Sequence, residues 1–421
     1  MPDRKNNLSN LEEAFAGCMK CGFCKAVCPV FIGKETTTPR AKVRLARAAA
    51  RGELTLSAGV KKQMDRCLNC MACAKECPSG VEPNKIALAL RDAYVRRDGL
   101  PLVKKAIFRG GLPNPRLMAW GLGAMGIGQH LTAIELQNNP LRGFLPLLGM
   151  RKDKDLPLLG RKSLFARLPE SLEPYGELRA TVLYFPGCGT NFIYPEIGLA
   201  TVEVLRKLGA RVILPHDMVC CGTPVFNSGD IAGARDLARR NIGIFKGHEV
   251  DAILTACGSC GNTIKNEWKE VLGLDEADMV AGKVMDISQF VVKYALEGAL
   301  KPLDNVELTT YHDSCHLRRG MGVWEEPRAI LRTILGENYV EMEQADRCCG
   351  GGGAFSIYNP ELSQTVADTK MECLEKSGAR VVATDCPACM MQLQDSIVHR
   401  KMSQKVVHII DLINRALPPG E

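Results

Sequence analysis

No stretch of eighteen apolar residues occurs in this sequence, so no membrane-spanning helix is expected. The N-terminus, MPDRKNNLSN, is polar and has no apolar run of the kind that opens a secretory signal. Neither charge dominates: 54 basic against 47 acidic residues leave a net +7, too mild to argue for a nucleic-acid partner, and none is expected. No Ser-His-Asp set and no paired-carboxylate motif stands out. The glycine run Gly350–Gly353 continues as Ala-Phe-Ser and lacks the lysine that ends a phosphate-cradling loop. Gly121, Gly123 and Gly126 match the dinucleotide spacing, but no strand pattern precedes them and no βαβ unit surrounds them, so the match is set aside. Without a flavin or nicotinamide site, the chain has no organic hydride acceptor and is not expected to oxidise an organic substrate alone.

Cysteine is abundant instead, with nineteen. In a chain expected to stay in a reducing, cytoplasmic compartment, cysteines in tight clusters read as metal ligands rather than disulfides. CMKCGFCKAVCP (Cys18–Pro29) and CLNCMACAKECP (Cys67–Pro78) both follow C-x2-C-x2-C-x3-C-P, the run of two-cluster ferredoxins. Three close thiolates wrap one cubane [4Fe–4S] cluster, and the fourth, before proline, turns away to the other. On that pattern Cys18, Cys21, Cys24 and Cys77 hold one cluster, and Cys67, Cys70, Cys73 and Cys28 hold the second. A pair of zinc sites would more often use two separated C-x-x-C pairs and fits poorly. Between the runs, Thr38 can cap and Pro39 can open a helix that ends at Gly52, and a second helix with Val60 and Met64 on one face leads to Cys67. This resembles the helical ferredoxin module of succinate dehydrogenase iron–sulfur subunits. Residues 1–95 form that module. Residues 96–178 read as a basic helical linker, either a solvated surface or a face that meets an acidic partner or an anionic membrane. Within it Leu117–Gly128 is uncharged but too short to span a bilayer and reads as an interfacial or core segment.

The remainder is an internal repeat, 179–300 and 301–421. Cys188, Cys220, Cys221, Cys257 and Cys260 recur as Cys315, Cys348, Cys349, Cys386 and Cys389, at offsets of 127, 128, 128, 129 and 129 residues. Around them short apolar strands alternate with helices. TVLYFPGC matches ELTTYHDSC, RVILP matches NYVEM, and AILTAC matches RVVATDC, so each copy is expected to be α/β with parallel strands. The cysteines fall at strand C-terminal ends, where sites gather in open α/β sheets.

Five thiols per copy exceed what a cubane or a zinc ion needs. Adjacent cysteines reach two irons of a larger cluster more readily than two positions around one ion, and the glycines after them let the backbone fold closely against an inorganic core. This pattern resembles the cysteine-rich (CCG) domain of heterodisulfide reductase subunits and their relatives. That resemblance implies a noncubane [4Fe–4S] cluster in one or both copies, or zinc. Two ferredoxin motifs followed by two such domains resemble the glycolate oxidase and D-lactate dehydrogenase iron–sulfur subunit family. The corresponding iron–sulfur subunits of heterodisulfide reductase and anaerobic glycerol-3-phosphate dehydrogenase share that arrangement. HDSCHLRRGMG (His312–Gly322) and CCGGGGAFSIYNPE (Cys348–Glu361) look most like the first group. The resemblance implies an α plus α/β fold and an electron-transfer subunit. A partner FAD subunit would oxidise glycolate or D-lactate, and electrons would pass singly towards a quinone or another carrier, on the inner face of the cytoplasmic membrane. The rival reading is a thiol–disulfide oxidoreductase using a noncubane cluster. His312 and His316 flank Cys315 and are read either as packing residues or as hydrogen-bond partners of cluster sulfur. Cys373 lies outside the repeat and reads as a structural thiol.

Overall fold

The computed structural model describes residues 12–133, 154, 155, 157, 159, 162–295, 298–353 and 355–420. In the N-terminal module the Thr38 hydroxyl accepts from the Ala41 N–H at 3.1 Å and Pro39 takes the first position of the helix Pro39–Ala50. Gly52, at φ 73°, lies just past its end. Ser57 caps the helix Ala58–Asp65 in the same way. Val43, Ala46, Val60 and Met64 face the helix Pro83–Asp98 and bury against Ile86, Leu90 and Tyr94, which gives the module its own core. In the basic segment the helix Pro115–Ala133 runs uninterrupted through Gly121, Gly123 and Gly126. Trp120 on this helix is 75% exposed, and Leu117 and Met125 are exposed beside it.

The first repeat builds a five-stranded sheet from β1 (Ser171–Leu172), β2 (Ala180–Tyr184), β3 (Ala210–Ile213), β4 (Ala252–Thr255) and β5 (Val284–Asp286). The order is β1-β3-β2-β4-β5, with β1 antiparallel to β3 and every other pair parallel. The second builds β6 (Thr309–Tyr311), β7 (Val381–Thr384) and β8 (Lys405–His408) in that order, all parallel. The central strands β4 and β7 are buried along their whole length, as expected when helices cover both faces.

Three details depart from the sequence reading. NYVEM forms a single bridge, Tyr339 to Thr309, instead of a strand. Beyond it Glu341 is drawn away by the Arg328 guanidinium at 2.7 and 2.9 Å and by the Tyr339 hydroxyl. Each copy also has a strand that the sequence reading lacked, β5 or β8, whose three or four residues are too short to show an alternating pattern. The edge strand β1 lies inside the stretch read as linker.

Candidate functional site: four sets of thiols

All nineteen cysteines are unbridged. Cys18, Cys21, Cys24 and Cys77 line one small cavity, together with Arg40 and Pro78. Cys28, Cys67, Cys70 and Cys73 line a second, with Lys42 and Asn84. The local chain path explains the crossing. Each third cysteine, Cys24 or Cys73, lies in a four-residue helix that turns the chain (Phe23–Ala26 and Ala72–Lys75), and Cys28 and Cys77 follow it out of their own loop. Burial pushes the Cys28 thiol up to about 12 and raises those of Cys24 and Cys73.

In the first repeat Cys188 and Cys220 lie 3.8 Å apart, and Cys221 and Cys260 3.6 Å. Gly187, at φ +66°, is required here: a β-carbon would come within 2.6 Å of the Cys260 sulfur. In the second repeat Cys348 is hydrogen-bonded to Cys315, and Cys349 to Cys389. The two sets meet at the seam between the copies, where the Cys257 and Cys386 sulfurs are 3.9 Å apart. The second set also meets the ferredoxin module. The Cys348 thiol pairs with that of Cys70, within a small apolar cluster of Val30, Leu68, Phe355 and Val366.

Two of the glycines after Cys348–Cys349 are needed for close approach to other parts of the protein. A β-carbon on Gly352 would lie 2.6 Å from the Leu68 side chain, and one on Gly350 2.6 Å from the Ser363 carbonyl. They let the loop approach protein, the ferredoxin module above all.

The 4Fe-4S dicluster domain family matches residues 14–81, and the cysteine-rich domain family matches twice, at 182–265 and 309–394. A Bacillus subtilis (strain 168) protein named as a probable glycolate oxidase iron-sulfur subunit is 30% identical over 425 residues, 96% of this chain and 94% of that one. The chain belongs to the glycolate oxidase iron–sulfur subunit family. Two further relatives mark the breadth of that family. One subunit of a fumarate reductase (CoM/CoB) from Methanothermobacter marburgensis is 30% identical over 95% of this chain and 72% of its own length. One subunit of a dihydromethanophenazine:CoB–CoM heterodisulfide reductase from Methanosarcina acetivorans is 28% identical over 95% and 93%. This protein is therefore an iron–sulfur subunit of an oxidoreductase, with several iron–sulfur clusters.

The residues present fit such clusters. Thiolates are needed as ligands, and buried thiols held mostly protonated call for a cationic core before they ionise. Hydrogen bonds from Cys220 and Cys260 hold Cys221 well below the ordinary thiol range, and those from Cys257 and Cys389 do the same for Cys386. Polar groups also approach the sulfurs: Thr223 Oγ1 lies 3.1 Å from Cys221, Ser259 Oγ 3.6 Å from Cys386, and the Val81 N–H 3.3 Å from Cys77. Such contacts set cluster potentials.

Asn69, between Cys67 and Cys70, escaped the sequence reading. Its side chain donates to Asn227 at 3.1 Å and Glu267 at 3.3 Å and accepts from Asn84 at 3.0 Å, while its carbonyl meets His316 Nε2 at 3.0 Å. One residue thus ties the ferredoxin module to both repeats. Its φ of 54° suits asparagine, which tolerates that backbone better than most residues.

Proposed function

We propose that this subunit carries electrons one at a time within a 2-hydroxy-acid dehydrogenase acting on glycolate or D-lactate, from a partner FAD subunit towards a quinone or another carrier. The ligands would be Cys18, Cys21, Cys24 and Cys77; Cys67, Cys70, Cys73 and Cys28; and the two five-cysteine sets. When bound, an iron–sulfur cluster supplies one-electron transfer without proton or hydride chemistry of its own. The observation that carries the reading is the unbroken succession of thiol sets. The two ferredoxin cavities adjoin, Cys70 meets Cys348, and Cys386 meets Cys257. The chain's own residues keep this line fixed in spacing, through Asn69, Gly352 and the seam between the copies.

The test is Cys21→Ser and Cys70→Ser in the complex with the flavoprotein. Electron delivery to a quinone is expected to stop in both while the flavin is still reduced by glycolate or D-lactate. Delivery that continues with a cubane missing would overturn the reading.

A membrane-facing placement is part of the proposal. Among the described residues no helix is long and apolar enough to cross a membrane. Leu102, Val103, Leu117 and Trp120 are nevertheless exposed beside Lys105 and Arg116, a pairing suited to an anionic bilayer surface. Co-flotation with anionic but not neutral vesicles is expected, and its loss in Trp120→Ala would support this face.

One observation favours a second reading, thiol–disulfide reduction. Cys188 is only partly buried and sits at the rim of a cavity that shares Phe165 and Phe192 with a larger cleft of about 520 Å³ lined by Arg116, His216 and Arg240. Reduction of a disulfide by viologen dye, lost in Cys188→Ser, would establish it. Inactivity with every disulfide offered would remove it.

A further inference from the structure

The two repeats differ at one position that matters to the metal. Tyr184 and Tyr311 are equivalent, and so are Cys188 and Cys315. Between them the first copy has Phe185 and the second has His312. Phe185 is a core residue, edge-on to Phe245 at 5.8 Å between ring centroids. His312 occupies the same place at the end of β6. Its backbone N–H donates to the Ala383 carbonyl at 2.9 Å, which continues the sheet and delivers the ring to the C-terminal edge, beside the Cys386–Cys389 turn.

The ring is 1% exposed, and both of its nitrogens are buried without a hydrogen-bond partner. One nitrogen lies with the sulfurs of Cys349 and Cys389 in a group whose atoms are all within 4.8 Å of one another. A histidine that only filled space would leave this polar group unmatched, a cost that phenylalanine avoids in the sister copy.

We propose that His312 is a nitrogen ligand of the metal centre held by the second cysteine set. The proposal rests on the reading that this set holds a cluster or zinc. It makes the two CCG centres chemically unlike: thiolates alone in the first, thiolates and an imidazole in the second. Exchanging thiolate for imidazole raises a cluster's potential, so the second centre is expected to reduce before the first.

The test is nitrogen hyperfine spectroscopy on the anaerobically purified, redox-poised full chain, grown with ¹⁵N-histidine, beside His312→Phe. Phenylalanine is already accommodated in the first copy, and His312→Gln serves should that variant not fold. A histidine-derived coupling of directly bound strength, on a signal distinct from the two cubanes and lost in the variant, is the expected result. Only weak coupling, or coupling that persists in the variant, overturns the proposal, as does a chain with no metal beyond the cubanes. If the second set is loaded with zinc, X-ray absorption at the zinc edge replaces the magnetic readout. A nitrogen neighbour at about 2.0–2.1 Å, lost in the variant, supports His312, and an all-sulfur shell sinks it. Cubane signals in the same samples separate the two ideas. Their absence removes the electron-transfer reading, whereas their presence without bound nitrogen removes this one alone.

Discussion

Asn69 and Asp286 are the residues whose roles depend most on where the fold puts them. Asn69→Ala deletes three side-chain hydrogen bonds, leaves the buried Glu267 carboxylate short of a donor and places alanine at φ 54°. A loss of about 2–4 kcal/mol in denaturant unfolding under anaerobic conditions is expected. A change below roughly 0.5 kcal/mol would show that the contact is dispensable. Asp286 is fully buried, and one carboxylate oxygen accepts from the Ser288 N–H at 2.8 Å while the other has no partner. Burial raises its pKa to about 6, against the ordinary 3.8, with Glu326 adding to the rise. The folded state therefore holds a proton that the unfolded chain gives up. This contribution is present in full below pH 3.8 and is lost as pH rises through about 6, a swing of order 2–3 kcal/mol. Asp286→Asn is expected to melt above the parent at pH 7, with the gap narrowing towards pH 5. An equal gap at both values would place the titration elsewhere.

At the scale of elements, local chemistry was readable and pairing was not. Thr38 and Pro39 announce their helix from adjacent positions, and Asp230 caps Ile231–Lys246 through the Gly233 N–H at 2.9 Å. The cysteine loops are legible for the same reason: ligands to one small object must be close in sequence or anchored by a rigid turn. NYVEM has the composition of a strand, but the pull of Arg328 on Glu341 is a tertiary fact. The glycine run shows the same limit. Its openness was visible, and its neighbour was not. Gly352→Ala would set a β-carbon against Leu68 at φ +51°. It is expected to cost about 1–3 kcal/mol and to weaken the magnetic interaction between the second cubane and the adjacent CCG centre. An unchanged EPR lineshape would show that the loop relaxes without moving the centres apart.

For the whole molecule the copies share a fold and differ in electrostatics. Lys370 is buried and donates to the carbonyls of Gln344 and Ala345, and at the matching place Asn241 holds the loop before Cys220 and Cys221 without a charge. Asp385 stands where the first copy has Ala256. Reduction adds negative charge, which a buried ammonium favours. Lys370→Met is expected to lower the midpoint potential of the second centre and leave the first unmoved in a redox titration. A shift in both, or in neither, would contradict this. Metal analysis addresses the full set: about 16 irons with matching sulfide mean four clusters, and about 8 confine the redox chemistry to the ferredoxin module.

The sequence alone determined the inventory: which thiols belong to which motif, that the second part is duplicated, and that the repeated strands are parallel. Spacing carries that information because a cluster or a βα unit imposes its own dimensions on the chain nearby. The tertiary structure decided the order in space. The ferredoxin thiols meet the second repeat through Cys70 and Cys348 before the first is reached through Cys386 and Cys257. Such contacts join residues 129 positions apart and more, and depend on side chains as small as glycine allowing two backbones to approach. No periodicity records a contact of that kind, because packing of whole modules, not the local backbone, creates it.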